Sequence, residues 1–311
     1  MSNAATALHV VRTPERPGPG PMPDGILRAL DLTIARRVAG LLQGDYRSSA
    51  LGAGTELAQI RLYEPGDDVR RLDWNVTART GEPHVRVQVA ERVLTTWLVL
   101  DTSASMTFGT AERRKADVAE GVALAVGHIA TRRGNNLGLI TFGGPDPRTV
   151  PPAQGRSGML SLLTALRAEP APGGQGAAGL GEALRRAGRL ARWSKLVVVV
   201  SDFRGPRDWG LPLLELAGRH TVVAVEVRDP REQELPNVGE LWLVDPETGR
   251  QLRVDTGKRR LRERYAAAAA AERADVAAEL ARAGAHHVVL STSGDWLRAL
   301  AGFLAVKGGR R

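Results

Sequence analysis

The chain has 311 residues, of which 43% are hydrophobic and 25% are charged, so it can form one large globular domain or two smaller ones. It has no cysteine, which excludes disulfides and thiolate metal sites, and its apolar runs are only strand-sized, so we expect a cytoplasmic protein without a transmembrane segment. The net charge of +9 comes from arginines scattered among acidic residues, with only 4% aromatics, which disfavours a nucleic-acid surface.

The N-terminal part of the chain is predicted to be irregular at first and then rich in β-structure. Residues 1–24 are rich in proline and glycine and are predicted to be a disordered tail. Residues 25–93 are predicted to form a helix, which begins at Ile26 and ends at Gly44, and a β-rich attachment. The attachment is predicted to contain a strand at 57–63, a turn at 64–68, a short helix or turn at 69–78 and a strand at 84–89.

From residue 94 to the C-terminus, continuous apolar runs alternate with helical patterns. This alternation predicts an α/β domain over 94–311, in which helices cover both faces of a mostly parallel sheet. Strands are predicted at 97–100, 137–142, 196–200, 221–227 and 287–290, and a hairpin at 241–244 and 252–254. Helices are predicted at 119–130, 157–168, 180–192, 208–218, 258–283 and 296–304.

Polar side chains follow the first and third of these buried strands. Asp101 follows the first strand, and Ser103 and Ser105 come next at alternate positions, which point the same way in an extended loop. Asp202 follows the third strand. Ligands of such sheets bind at the carboxyl ends of strands where the strand order reverses, and hard oxygen donors suit Mg²⁺ or Mn²⁺. We therefore predict a metal site here, with helix and turn capping as the alternative.

Three apolar side chains, Phe108, Phe203 and Trp209, belong to the segments 106–110 and 203–209 that are predicted to border this site. Apolar and aromatic side chains at a surface are frequent anchors of protein interfaces. We predict that they contact a partner; the alternative is that they pack against the fold.

A second polar cluster lies upstream and comprises Gly66, Asp67, Asp68, Arg70, Asp73 and Trp74. It is either a functional acidic loop or a network that satisfies itself. The second interpretation is favoured, with Arg70 paired to a carboxylate and Trp74 packed at the junction with the following domain.

Two segments carry a family resemblance. Residues 101–106 resemble the metal-ion-dependent adhesion site of von Willebrand factor A domains. Residues 61–74, 77–83 and 200–203 resemble a bacterial family, domain of unknown function 58. The resemblance, over roughly residues 26–230, implies a Rossmann-like von Willebrand factor A domain with an N-terminal β-rich attachment. It also implies a non-enzymatic adaptor that works with a MoxR-type AAA+ ATPase in assembling or activating other proteins.

The sequence departs from this family pattern in the third loop of the site. Ala178 stands where a threonine ligand is expected, so metal binding is expected to be weaker. Two other functions remain open. One is a metal-dependent hydrolase at Asp101 and Asp202, against which the lack of an evident general base argues. The other is a basic nucleic-acid-binding protein.

Overall fold

The computed structural model describes residues 18–23, 51–89, 94–132, 135–167, 179–191 and 196–306. They belong to two compact units, one spanning residues 34–93 and the other formed by 1–33 with 94–311. Most of the predicted tail and the helix predicted from Ile26 lie outside the described residues. None of the helices in the described part of the chain is long and apolar enough to cross a membrane.

The smaller unit contains an antiparallel strand pair, β1 (Leu51–Leu62) and β2 (His84–Val89). A 3-10 turn at Val69–Arg71 and helix α1 (Trp74–Thr80) connect the two strands. Asp73 begins α1, because its carboxylate accepts hydrogen bonds from the first free backbone N–H groups of the helix. Gly81 ends α1 with a φ of 77°, a conformation that glycine adopts without strain.

The larger unit is built on a six-stranded sheet. The alternation of its strands with helices along the chain matches the predicted α/β pattern. The six strands of the sheet are β3 (Thr95–Asp101), β4 (Asn136–Phe142), β5 (Thr149–Gln154), β6 (Leu196–Ser201), β7 (Thr221–Arg228) and β10 (His286–Ser291). Two further strands, β8 (Glu240–Val244) and β9 (Gln251–Asp255), form a separate hairpin. The helices of the larger unit are α2 (Lys115–Arg132), α3 (Gly155–Arg167), α4 (Leu180–Leu190), α5 (Gly210–Ala217), α6 (Arg259–Arg282) and α7 (Trp296–Val306).

The strand order in the sheet is β10-β7-β6-β3-β4-β5, and every pair is parallel except β4 with β5. The predicted mostly parallel sheet is therefore confirmed, whereas β5 was not predicted. The chain passes from β3 to β4 on one side and later adds β6 on the other side of β3. The order thus reverses between β3 and β6, and their carboxyl ends flank the crevice where such sheets bind ligands.

Strand β3 is buried on both faces. Trp97 and Val99 pack in one core layer with side chains of α4, α5 and α6. Leu98 and Leu100 point to the opposite face, which α2 covers. The Trp97 ring lies over Gly138 on β4, where a Cβ atom would be only 2.8 Å from the ring. This close packing holds the first half of β3 against β4.

Candidate functional site

Asp101 lies at the carboxyl end of β3 and is 5% exposed. Its Oδ1 accepts a hydrogen bond from the Ser103 backbone N–H at 2.9 Å, and its Oδ2 accepts one from the Ser201 hydroxyl at 2.5 Å. Burial and the neighbouring charge of Asp202 raise the pKa of the Asp101 carboxyl to about 6. Asp101 therefore lies close enough to Asp202, at the end of the adjacent strand β6, for the two charges to interact.

The two serines of the predicted site also come together. Ser103 precedes a 3-10 turn over Ala104–Thr107, and the hydroxyl oxygens of Ser103 and Ser105 are 3.0 Å apart. Gly143 borders them with a φ of 78°, and a Cβ atom at this position would lie 2.8 Å from Asp101 Oδ1. The approach of the Gly143 backbone to the site therefore requires glycine.

Asp202 belongs to a buried ionic cluster with Lys115 and Glu232. Lys115 begins α2 and donates hydrogen bonds to Asp202 Oδ2 at 2.6 Å and to Glu232 Oε1 at 2.7 Å. The side chain of Lys115 is fully buried. Burial opposes ionisation of Asp202, but the charge and hydrogen bond of Lys115, together with hydrogen bonds from the Arg204 N–H and Ser105, outweigh burial and lower the pKa of that carboxyl. Asp202 is thus held in its ionised form beside Asp101.

Phe203 and Trp209 correct the predicted partner-binding surface. They are 2% and 1% exposed, and their rings meet edge to face at 5.5 Å inside the core. Phe203 reaches the core through a φ of 53°, which turns its side chain inward while its N–H bonds the Ser201 hydroxyl. The prediction that these two residues contact a partner is wrong. Phe108 is half-buried and lines a surface groove.

A second buried network, formed around Glu226 on β7, supports the backbone of the site. The Glu226 carboxylate accepts hydrogen bonds from Arg273 at 2.7 Å, from Arg228 at 2.8 Å and from His287 at 2.9 Å. Burial opposes its ionisation, but His287 and the two arginines outweigh burial and lower the pKa of Glu226 to about 2. Arg273 also donates to the Asp202 carbonyl at 2.9 Å, which ties this network to the site.

The hairpin β8–β9 brings a further carboxylate to the serines. Glu247 lies in its turn, and Glu247 Oε1 accepts a hydrogen bond from the Ser105 backbone N–H at 2.8 Å. A groove of about 1180 Å³ borders this contact, and its walls include Phe108, Arg204 and Tyr265. The contact of Glu247 with the site was not predicted. The sequence predicts the hairpin, but it does not indicate which part of the larger unit the turn of that hairpin contacts.

The oxygen donors at this site have the chemistry that a small divalent cation requires. Among the described residues, no three carboxylate, imidazole or thiolate side chains form a metal-binding group, so hydroxyls would have to contribute. Adjacent ligands of an octahedral Mg²⁺ lie about 3 Å apart, and the Ser103 and Ser105 hydroxyl oxygens are separated by 3.0 Å. The types of donor therefore suit Mg²⁺ or Mn²⁺. Ala178 lies outside the described residues.

The upstream cluster is a network whose carboxylates find partners within the smaller unit. Asp67 pairs with Arg61 through two hydrogen bonds of 2.6 and 2.7 Å, and Asp73 pairs with Arg86 at 2.9 Å. Hydrogen bonds from Arg61 and Arg86, respectively, lower the pKa of the two carboxyls. Among the described residues these arginines, rather than the predicted Arg70, provide the pairing. Trp74 is 70% exposed, and its packing at the junction with the following domain stays a prediction.

Comparison with known proteins places this chain among relatives of unknown function. A family model described as "Protein of unknown function DUF58" matches residues 59–275. The chain is 43% identical to an uncharacterized protein of Mycobacterium tuberculosis strain H37Rv over 282 residues, which cover 90% of this chain and 88% of the relative. It is also 41% identical to an uncharacterized protein of Mycobacterium avium over 165 residues, covering 52% of this chain and 94% of that protein.

Solved structures give weaker similarities. The conserved hypothetical protein BatB from Bacteroides thetaiotaomicron has a TM-score of 0.46 at 16% identity, covering 70% of this chain and all of that one. A von Willebrand factor type A protein from Catenulispora acidiphila has a TM-score of 0.38 at 16% identity, covering 71% of this chain and 43% of that one.

Proposed function

We propose that this chain, which belongs to the DUF58 family, is a non-enzymatic protein-binding module with a divalent-cation site at Asp101, Ser103, Ser105 and Asp202. The observation that carries the proposal is the convergence of Asp101 and the two serine hydroxyls beside Asp202 at the reversal of strand order. Mg²⁺ or Mn²⁺ bound there would offset the repulsion between the two carboxylates and would attract an acidic side chain of a partner.

The hydrogen bonding of the two carboxylates supports binding rather than hydrolysis. A general base needs a carboxylate that can accept a proton from water in the crevice. Lys115 helps to lower the pKa of Asp202, which makes that carboxylate a poor proton acceptor. Asp101 is buried at 5% exposure and bonded by Ser103 and Ser201, so it has little contact with water in the crevice. The proposal is therefore a site that holds a cation and a partner.

The partner class follows from the family resemblance of residues 61–74. Members of the family are typically encoded beside MoxR-type AAA+ ATPases, so we propose such an ATPase, or the protein on which it acts, as the partner. An acidic side chain of that partner would approach the crevice at the carboxyl ends of β3 and β6.

A capture experiment tests this function. The immobilised chain should retain a purified MoxR-type ATPase in Mg²⁺ and lose it in EDTA. Asp101→Asn should weaken capture in Mg²⁺ by more than about tenfold, since removing one member of a buried charge interaction costs about 2 kcal/mol or more. Glu263→Gln, on an exposed position of α6, is the matched control and should behave as the wild type. Capture that is equal in Mg²⁺ and EDTA, and equal for Asp101→Asn, would contradict the proposal.

A further inference from the structure

The hairpin β8–β9 is an arm that stands apart from the central sheet. It lies between β7 and α6 along the chain, and its two strands pair with each other in a separate two-stranded sheet. Several of its apolar side chains are open to solvent, with Trp242 50%, Val244 56% and Leu252 62% exposed. The contacts that hold the arm to the rest of the larger unit include those at its base and at its tip.

The base of the arm is fixed by Thr256, which is fully buried. The Thr256 hydroxyl donates to the Gly239 carbonyl at 2.7 Å and accepts from the Val238 N–H at 3.1 Å. The Thr256 backbone N–H donates to the same carbonyl at 2.7 Å. Gly239 has a φ of 78°, which allows the chain to turn into the arm.

The turn at the tip is stabilised by Asp245, which leaves Glu247 free to bond elsewhere. Asp245 accepts hydrogen bonds from the Glu247 N–H at 3.0 Å and from the Thr248 hydroxyl at 2.5 Å. Backbone hydrogen bonds from Asp245 to Arg250 and from Gly249 to Asp245 close the turn. With its backbone held in this way, Glu247 extends its carboxylate to the Ser105 N–H of the candidate site, 142 residues away.

We infer that Glu247 is an internal acidic ligand that caps the site, and that an acidic side chain of a partner binds by displacing it. The inference rests on the proposed function, because both concern the same site. The capping contact is one hydrogen bond from the Ser105 N–H to a charged acceptor, so breaking it costs only a modest free energy. An incoming carboxylate offsets this cost by accepting a hydrogen bond from the same N–H. A partner carboxylate binds only those molecules in which Glu247 has left the Ser105 N–H. Its apparent affinity is therefore reduced in proportion to the fraction of molecules in that open state.

Hydrogen–deuterium exchange of the full chain tests the cap without any partner or metal. In buffer with EDTA, Glu247→Ala should make the peptide that contains Ser105 exchange about tenfold faster than in the wild type. Glu240→Ala removes another acidic side chain of the same hairpin, which pairs with Arg253, and should leave that peptide unchanged. Equal exchange of this peptide in the wild type and in Glu247→Ala would overturn the inference.

Acetate tests whether the vacated position accepts an external carboxylate. Sodium acetate added to Glu247→Ala should slow exchange of the Ser105 peptide back toward the wild-type rate, whereas equal sodium chloride should have no effect. Failure of acetate to slow the exchange would overturn the displacement step. Both arms are carried out without metal, so failure of Mg²⁺ or Mn²⁺ to bind would contradict the proposed function separately.

Discussion

Lys115→Met is expected to destabilise the protein by about 3–5 kcal/mol, because it leaves two buried carboxylates without their cation. The Lys115 side chain is fully buried between Asp202 and Glu232, at 2.6 and 2.7 Å from their carboxylate oxygens. Methionine fills similar space but supplies no charge or donor. Urea unfolding monitored by circular dichroism would measure the loss as a lower midpoint at an unchanged slope.

Lys258→Met is the matched control for this substitution. The Lys258 side chain is 74% exposed, and its nitrogen lies 3.7 Å from Asp255. Exposed pairs of this kind contribute little to stability, so the midpoint should stay at the wild-type value. Equal midpoints for the two lysine variants would show that the buried cluster does not stabilise the fold in this way.

Glu226→Gln should cause a comparable loss, about 3–5 kcal/mol, because the buried Arg273 loses its carboxylate partner. Arg273 is 4% exposed, so water replaces little of the lost interaction. Glu226 should also make the free energy of unfolding of the wild type fall as the pH is lowered. The pKa of Glu226 is lowered from 4.5 to about 2, so its contribution is present above the unfolded pKa and is lost as the pH falls through the folded pKa.

Unfolding free energies measured from pH 7 to pH 2 would separate this contribution from others. The wild type should lose about 3 kcal/mol more than Glu226→Gln across the acid range, the amount that a shift of this size represents. Glu263→Gln, which removes an exposed carboxylate paired with Arg259, should follow the wild-type curve. Parallel curves for the wild type and Glu226→Gln would mean that Glu226 is not held ionised by its neighbours.

The central sheet was predictable because buried parallel strands leave a strong sequence pattern. Continuous apolar runs such as that of β6 indicate burial on both faces, and their alternation with helical segments indicates parallel order. Strand β5 was missed because it contains Pro151 and Pro152, which argue against a central strand. It lies at the sheet edge, where proline is tolerated because no second neighbour needs its N–H.

The candidate site was only partly predictable. Asp101 and Asp202 follow directly from the rule for strand ends, since each is adjacent in sequence to a recognisable strand. Lys115 and Glu247 have partners 87 and 142 residues away, and their local sequence indicates neither a buried ion pair nor a capping contact. For Glu232 the sequence carries only a weak indication of a role near the site. Glu232 follows β7 at the same edge of the sheet, three residues after Asp229 in the pattern of a capping box.

The incorrect prediction for Phe203 and Trp209 has a conformational cause. Apolar residues in loops show no periodicity that separates an exposed anchor from a core residue. The positive φ of Phe203 turns its ring into the core, and a non-glycine residue in this conformation has no reliable sequence signature. Of the three residues predicted to contact a partner, Phe108 still borders a surface groove, which residues of the hairpin also line.

Calorimetric titration of Mn²⁺ into the wild type and into Asp101→Asn tests the central claim, that these side chains form a divalent-cation site. The wild type should bind a single ion per chain, and its stability should rise by about 2.7 kcal/mol at a hundredfold excess of metal over the dissociation constant. Asp101→Asn keeps the size of the side chain but removes its charge, so it should show neither the binding heat nor the stabilisation. Identical heats and identical unfolding curves for the two proteins would contradict the claim.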